Sequence, residues 1–425
     1  MSYPDSVQYL YALGNELKAG AKFGLERMLL LVEALGQPHL ATRTIHVAGT
    51  NGKGSTSAMI ASALTAAGYR TGLYTSPHLI APTERIQIDG TPITPGDFAD
   101  AFNVVHAAAE RLIEPNVIDA HPSYFETVTA MAFDYFKSRT DIAVIEVGLG
   151  GRLDATNVVA PELSVITPVA FDHEAFLGNT IESIAAEKAG ILKPNVPAIV
   201  AVQPEAAESV ITQRAHLLNS PLTFSRDATI SNVQVTPYGS VFSLDEIHYA
   251  CPLPGRHQIG NATTAILACR QLGLPETAIQ IGLGSAKWPG RLQLISRSPD
   301  IVLDGAHNPA GAAALADYIH EFCHGRPVWL VYGAMRDKAI DEVTSVLFPL
   351  ATRLILTAPN FPRALRPESI LQLHPHLNAI IAPTVHDAID IALAAPADVI
   401  VFFTGSLFLV GEALALLAPR KTSIP

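Results

Sequence analysis

Residues 44 to 57 read Thr44-Ile45-His46-Val47-Ala48-Gly49-Thr50-Asn51-Gly52-Lys53-Gly54-Ser55-Thr56-Ser57. Ile45 and Val47 mark a buried strand, a loop dense in Gly, Thr and Asn follows, and a helical pattern runs from Ser57 to about Ala67. Strand, glycine-rich loop and helix form the context in which backbone N–H groups close on a polyphosphate. Gly49, Gly52 and Gly54 carry no Cβ to hold an anion away, and a helix N-terminus adds partial positive charge. Lys53 supplies a compact cation for the β- and γ-phosphates. The strict pattern G-x-x-x-x-G-K-[ST] is not met, because Gly54 stands between Lys53 and Ser55 and Val47 takes the first position. A tight turn with a solvated lysine is the plain alternative. The convergence of glycines, a lysine and hydroxyls in one turn favours a nucleoside triphosphate site.

Other polar residues end apolar runs. Ile142-Ala143-Val144-Ile145 closes on Glu146, ahead of the glycine-rich Val147-Gly148-Leu149-Gly150-Gly151. That puts a carboxylate at the carboxyl edge of a parallel sheet, the position of a metal-organising acid opposite a phosphate loop. Arg70 to Thr75 ends at Ser76-Pro77-His78-Leu79, and Leu163 to Thr167 leads to Asp172-His173. Ile301-Val302-Leu303 leads to Asp304-Gly305-Ala306-His307-Asn308-Pro309. Such strand ends are where α/β sheets bind ligands. Plainer readings compete at several positions. Ser123 and Glu126 have capping-box spacing, Asp172-His173 suits a capped turn, and Lys188 beside Glu187 suits a lysine complementing a helix C-terminus. Phe125 suits either the core or a stacking surface for a flat ligand.

The elements that must position these residues follow from periodicity. Helices are expected in 5–35 (interrupted at Gly20 to Gly24), 95–112, 123–137, 180–190, 259–272, 310–322 and 337–348. Strands are expected at 70–75, 141–146, 163–167, 196–202, 241–244, 301–304, 328–331, 353–357 and 399–403, with 207–250 less regular. The fold class is α/β. Residues 1–288 are expected to form a P-loop ATPase-like domain with a parallel central sheet. Residues 289–425 are expected to form a smaller Rossmann-like α/β domain, with a cleft between the two. A chain of 425 residues is too long for one ordinary core, and 49% apolar against 16% charged residues suits large buried sheets. A net charge of −11 without a basic cluster argues against a nucleic-acid partner. Cys251, Cys269 and Cys323 are far apart and lack C-x-x-C spacing, which fits a reducing cytoplasm. No apolar stretch approaches the ~20 residues needed to span a bilayer. A cytoplasmic monomer without membrane contact is the expectation.

Taken together, the stretches resemble the folylpolyglutamate synthase/dihydrofolate synthase family, within the Mur ligase superfamily, over nearly the whole chain. They are Phe23-Gly24-Leu25-Glu26-Arg27, Gly49 to Ser55, Ser76 to Leu79, Tyr124-Phe125-Glu126 and the run from Glu146 through Gly151-Arg152-Leu153-Asp154-Ala155-Thr156-Asn157. Asp172-His173, Glu187-Lys188-Ala189-Gly190, Pro289-Gly290-Arg291 and Asp304 to Pro309 complete the ordered set. The extra glycine before Ser55 is how that family writes its loop.

The resemblance implies an ATP-dependent ligase joining the α-amino group of L-glutamate to a carboxylate on dihydropteroate or tetrahydrofolate through an acyl phosphate. It implies that Thr50, Asn51, Gly52, Lys53, Gly54 and Ser55 hold the triphosphate, with Asn261, Arg291 and Asp304 as further ATP contacts. Ser76, Glu146 and His173 would ligate Mg²⁺. Lys188 matches a lysine that is carbamylated in many relatives, and N6-carboxylysine there would bind a second Mg²⁺. Arg291 would stabilise the transferring phosphoryl group, and His307 joins Lys53 and Lys188 among the catalytic candidates. Ser123, Tyr124, Phe125, Glu126, Leu153, Asp154 and Ala155 match the pterin pocket, where Phe125 would pack on the flat ring and Asp154 would take its N–H donors. One departure is that Asn15-Glu16-Leu17-Lys18 lacks the His some relatives place there. Three alternatives stay open: polyglutamylation only, a Mur-type peptidoglycan ligase, or a P-loop ATPase or kinase that ignores folate. The second would need an extra N-terminal domain that residues 1–40 are too short to supply.

Overall fold

The run Ile142–Glu146 is buried at every position, as a strand covered on both faces must be. In the computed structural model, which describes residues 1–14, 24–114, 117–118, 120–336 and 339–417, this run lies at the centre of an eight-stranded sheet. Its strands are β1 (Arg43–Ala48), β2 (Thr71–Tyr74), β3 (Ile86–Ile88), β4 (Thr91–Pro92), β5 (Ile142–Glu146), β6 (Leu163–Ile166), β7 (Ala198–Val200) and β8 (Leu222–Phe224). The order is β4-β3-β2-β5-β1-β6-β7-β8, with β2 to β8 parallel apart from the antiparallel edge pair β3 and β4. From β1 the chain leaves to one side for β2, and from β5 it crosses β1 to reach β6. The carboxyl end of β1 therefore lies at a switch point, where a crevice opens for a ligand. The register pairs Val47 with Glu146 and Ala48 with Ile166, so Gly49, Val147 and Thr167 leave the sheet side by side.

The α/β class expected for both parts holds. Helix Lys53–Ala66 starts four residues before the expected Ser57, because Gly52 ends the loop at φ 81° and the chain turns helical at once. Residues 207–250 are more regular than their sequence suggests. They include most of a helix, Glu205–Leu218, whose buried face is only Ala207, Ile211 and Ala215, too weak a stripe to read. They also include β8 and the antiparallel strands β9 (Ile230–Thr236), β10 (Gly239–Leu244) and most of β11 (Ile247–Cys251), the last three forming their own sheet.

A third sheet contains β12 (Gln293–Ser296), β13 (Asp300–Leu303), β14 (Val328–Tyr332), β15 (Arg353–Leu356), β16 (Ala379–Ile381) and β17 (Ile400–Thr404). Its order is β12-β13-β17-β14-β15-β16, parallel except for β12 at the edge. By contacts the chain divides into two units. The first comprises Met1–Val169, Asn179–Thr229 and Gly260–Ala286, and the second Ala170–Gly178, Ile230–Ile259 and Lys287–Pro425. The passage from Ala286 to Lys287 lies beside the expected boundary at 288, whereas 170–178 and 230–259 join the second unit. The expected helical residues 15–19 and 337–338, and residues 20–23 of the expected break (with Phe23 of the first motif), lie outside the described residues.

Candidate functional site

Within the first unit, the loop after β1 is shaped by glycines that have to be glycines. Gly49 sits at φ 148°, and a Cβ there would lie 1.9 Å from Oγ1 of Thr167. A Cβ on Gly52 would lie 2.2 Å from Oδ1 of Asn261, so Asn261, distant in sequence, packs on the loop. The N–H groups of Thr50 and Asn51 both donate to the carbonyl of Pro168, at 2.9 and 3.2 Å, which ties the loop to the end of β6. Helix Lys53–Ala66 then aims its first N–H groups and its dipole at the loop. Nζ of Lys53 folds back to the carbonyls of Gly49 and Thr50, at 3.2 and 3.3 Å. Lys188, only 3% exposed, donates from Nζ to the same Gly49 carbonyl at 2.8 Å. The surface-lysine reading of Lys188 is thereby excluded. Two ammonium groups converge on one neutral acceptor, an arrangement ready for an anion.

Glu146, 4% exposed, ends β5 beside this loop, and its Oε2 accepts from the backbone N–H of Ser76 at 3.1 Å. A buried carboxylate next to a serine at two adjacent strand ends supplies oxygen ligands of the kind Mg²⁺ takes. The glycine-rich turn behind it is organised by Asp154. Its Oδ2 accepts from the N–H groups of Gly148 and Leu149 at 3.0 and 2.9 Å, and its Oδ1 from the N–H and hydroxyl of Thr156 at 3.0 and 2.5 Å. Burial raises its pKa, and these four donors oppose the rise. Asp154 thus holds its own loop in shape, with its acceptor sites filled by that loop. Since the Thr156 hydroxyl donates to Asp154, it accepts from Nε2–H of the fully buried His46, 2.9 Å away. Sequence reading passed over His46, whose only signal was a polar residue inside an apolar strand.

The start of helix Tyr124–Phe136 shows the capping box that its spacing suggested, with Ser123 Oγ accepting from the N–H of Glu126 at 3.2 Å. Glu126 also takes a bidentate pair from Arg27, at 2.6 to 3.0 Å. Both of its oxygens are therefore engaged within the protein. Phe125 is half-buried and lies directly over Gly148, where a Cβ would come within 2.4 Å of its ring. Leu153 is half-buried, and Ala155 is buried at the start of a short 3₁₀ turn, Ala155–Val158. The Tyr124 ring carries the Arg85 guanidinium at 5.1 Å and stacks on Tyr11 at 5.8 Å. Nε of Arg85 donates to Nδ1 of His78 at 2.9 Å. Burial, then the Arg85 charge, pushes the His78 pKa down to about 3, so the ring is neutral and its Nε2–H faces the Tyr11 hydroxyl at 3.3 Å. Arg85 carried no motif, and only the fold brings it to Tyr124.

In the second unit, Asp304 directly follows β13 and is 7% exposed. Its oxygens accept from the N–H groups of Leu292 and Ala306, at 2.9 and 3.0 Å, and fix two loops. Arg291 lies over Gly305, where a Cβ would come within 2.6 Å of its Nη1. Nδ1–H of His307 donates to the carbonyl of Gly305 at 2.7 Å, leaving Nε2 3.6 Å from Oδ2 of Asp172. His173 follows Asp172 in the left-handed region at φ 53°, and its N–H donates to Oδ1 of Asp172 at 2.9 Å. The fold thus gathers Asp172, His173, His307 and Asn308 into one polar cluster, where sequence had suggested two separate motifs.

Known proteins resemble this chain over nearly its whole length. The family profile described as the Mur ligase middle domain matches residues 47–269, and that of the Mur ligase glutamate ligase domain matches residues 290–407. The chain is 38% identical over 427 residues to the dihydrofolate synthase/folylpolyglutamate synthase of Bacillus subtilis strain 168, covering 97% of this chain and 98% of that protein. It is 36% identical to the Escherichia coli K12 protein of the same name, covering 98% and 96%. Among solved structures, E. coli FolC in complex with DHPP and ADP superposes with a TM-score of 0.87 at 33% identity, covering 98% of each chain. Mycobacterium tuberculosis folylpolyglutamate synthase complexed with ADP and AMPPCP gives a TM-score of 0.89 at 32% identity, covering 98% and 99%. The glycine-shaped loop, the buried acid beside it and the agreement over the whole chain lead to one conclusion: this chain belongs to the dihydrofolate synthase/folylpolyglutamate synthase family of Mur ligases.

Proposed function

We propose that the protein is an ATP-dependent ligase that adds L-glutamate to dihydropteroate and further glutamate to tetrahydrofolate. The observation that carries this reading is the loop after β1, shaped by Gly49 and Gly52, with Lys53 and Lys188 on one carbonyl and the buried Glu146 at the next strand end. Relatives of matching length bear both activity names, and their structures contain ADP, AMPPCP and DHPP. Carboxylate and amine do not condense in water. Phosphorylation of the carboxylate by ATP makes an acyl phosphate, which the amine opens with loss of phosphate.

The chain's own groups suit that chemistry. The loop from Thr50 to Ser55 receives the triphosphate, and Lys53 leaves two neutral carbonyls for a charged phosphate, a stronger hydrogen-bond acceptor. Asn261 seats Gly52, while Arg291, Asp304 and His307 are the second unit's proposed nucleotide and phosphoryl contacts. Glu146 and Ser76, at neighbouring strand ends of the first unit, are the groups that would hold Mg²⁺, which would supply charge neutralisation at the phosphoryl group, while His173 lies in the second unit against Asp172. Lys188 as N6-carboxylysine would add an anionic ligand for a second ion, and its remaining N–H would keep the Gly49 contact. Phe125 and Tyr124 offer ring faces to the pterin, with Leu153 and Ala155 beside them and Arg85 as the added cation. Ser123, Glu126 and Asp154 act here by shaping the pocket walls. The reading carries a cytoplasmic monomer.

The test is one incubation series with dihydropteroate or tetrahydrofolate, glutamate, ATP and Mg²⁺. Phosphate release should require both organic substrates, and each product should gain the mass of one glutamate residue. Phosphate release indifferent to both substrates would favour a plain ATPase and defeat the proposal.

A further inference from the structure

His106 and Glu110 lie one turn apart on helix Pro95–Ile113, so they share a face. His121, just before the capping box of helix Tyr124–Phe136, meets that face. Nδ1 of His106 is 3.4 Å from Nε2 of His121, and Oε1 of Glu110 is 3.8 Å from each of those atoms. A tetrahedral ion with bonds of about 2.0–2.1 Å holds its ligand atoms roughly 3.3–3.4 Å apart. The His–His edge already has that length. Glu110, whose side chain is 45% exposed, needs to close by only a few tenths of an ångström.

One further observation points to an ion. Nδ1 of His121 is 3.0 Å from the carbonyl of Pro122. A carbonyl only accepts, so Nδ1 carries the proton and the Nε2 lone pair is directed into the cluster, as in metal-binding imidazoles oriented by an outer partner. Both rings are also held by aromatic neighbours. Tyr9 meets them edge-on at 4.9 and 5.6 Å, and Phe102 stacks on His106 at 5.4 Å.

We propose that His106, Glu110 and His121 form a site for a zinc-class divalent cation, clamping helix Pro95–Ile113 to the start of helix Tyr124–Phe136. Two nitrogens and one carboxylate oxygen suit Zn²⁺ and disfavour the hard ions Mg²⁺ and Ca²⁺. Water completes the coordination.

The test uses full-length, chelator-stripped protein with excess Mg²⁺ present to occupy oxygen-rich sites. Co²⁺, which reports its geometry by visible absorption, and Zn²⁺ are titrated into wild type, Glu110→Gln and His121→Gln. Wild type should bind one ion per chain with a tetrahedral cobalt spectrum and a raised melting temperature. Each variant should lose the spectrum and bind Zn²⁺ more weakly by more than the ~10–100-fold that losing an outer partner costs. Far-UV circular dichroism checks that the variants fold, and the wild-type cobalt spectrum stands as evidence if one does not. The proposal fails if wild type shows no tetrahedral cobalt band. It also fails if folded variants match wild type in stoichiometry and affinity, which would place the ion elsewhere.

Discussion

Gly52 holds φ at 81°, and its missing Cβ is what admits Asn261 to the loop after β1. Gly52→Ala adds left-handed strain of roughly 1–2 kcal/mol on top of that clash. The expected outcome is a lower urea midpoint and weaker binding of a non-hydrolysable ATP analogue by calorimetry; unchanged values would mean the loop is not the one described. Lys53→Ala should lower amide formation by roughly 10²–10³-fold, the loss typical of a donor at a developing charge. A variant as active as wild type would remove Lys53 from the chemistry. His46 gives a pH signature. Burial, then Lys193, pushes its pKa from 6.5 down to about 3, so the folded state favours the neutral ring. That contribution is complete above pH 6.5 and is lost as pH falls towards 3, the loss reaching roughly 2 kcal/mol at pH 5. The stability advantage of wild type over His46→Gln should shrink by about that amount between pH 7 and pH 5 in denaturant titrations. An advantage independent of pH would contradict the assignment.

Among elements, helix Lys53–Ala66 is held from behind by helix Glu276–Ser285. The contact is close because Gly282 has no side chain: a Cβ there would lie 2.3 Å from the Cα of Ala63. Oγ of Ser62 donates to the Gly282 carbonyl at 2.7 Å and fixes the register. Propensity alone favours Ala over Gly within a helix by about 1 kcal/mol. Here the sign should reverse, with Gly282→Ala destabilising by ~1–3 kcal/mol through overpacking and displacing the loop's helix. Chemical denaturation decides the sign, and a more stable variant would show that the helices can part at little cost.

For the molecule as a whole, the sheets are held by apolar residues and the proposed chemistry by a divalent ion. Removing divalent ions with a chelator should abolish amide formation and leave the far-UV circular dichroism unchanged, and Mg²⁺ should restore turnover. Persisting synthesis in chelator would remove Mg²⁺ from the reading.

Sequence by itself determined most of the parallel strands, though not the short edge strands β8 and β16, together with the glycine-shaped loop and the acid that ends β5. Each is written in contiguous residues, by runs of apolar side chains or by glycines where a Cβ is not tolerated. It also showed the capping box at Ser123 and Glu126 but not the Arg27 pair that closes on it, whose partners are 99 residues apart. Only tertiary structure turned Lys188 inward onto Gly49, set Asn261 against Gly52 and joined Asp172 to His307. It alone showed that Asp154 serves its own loop, and that β9 to β11 belong with the second unit. The physical reason is range. Backbone preference and periodicity act over a few residues, whereas a side chain's partners are set by strand order and by the packing of helices distant in the chain.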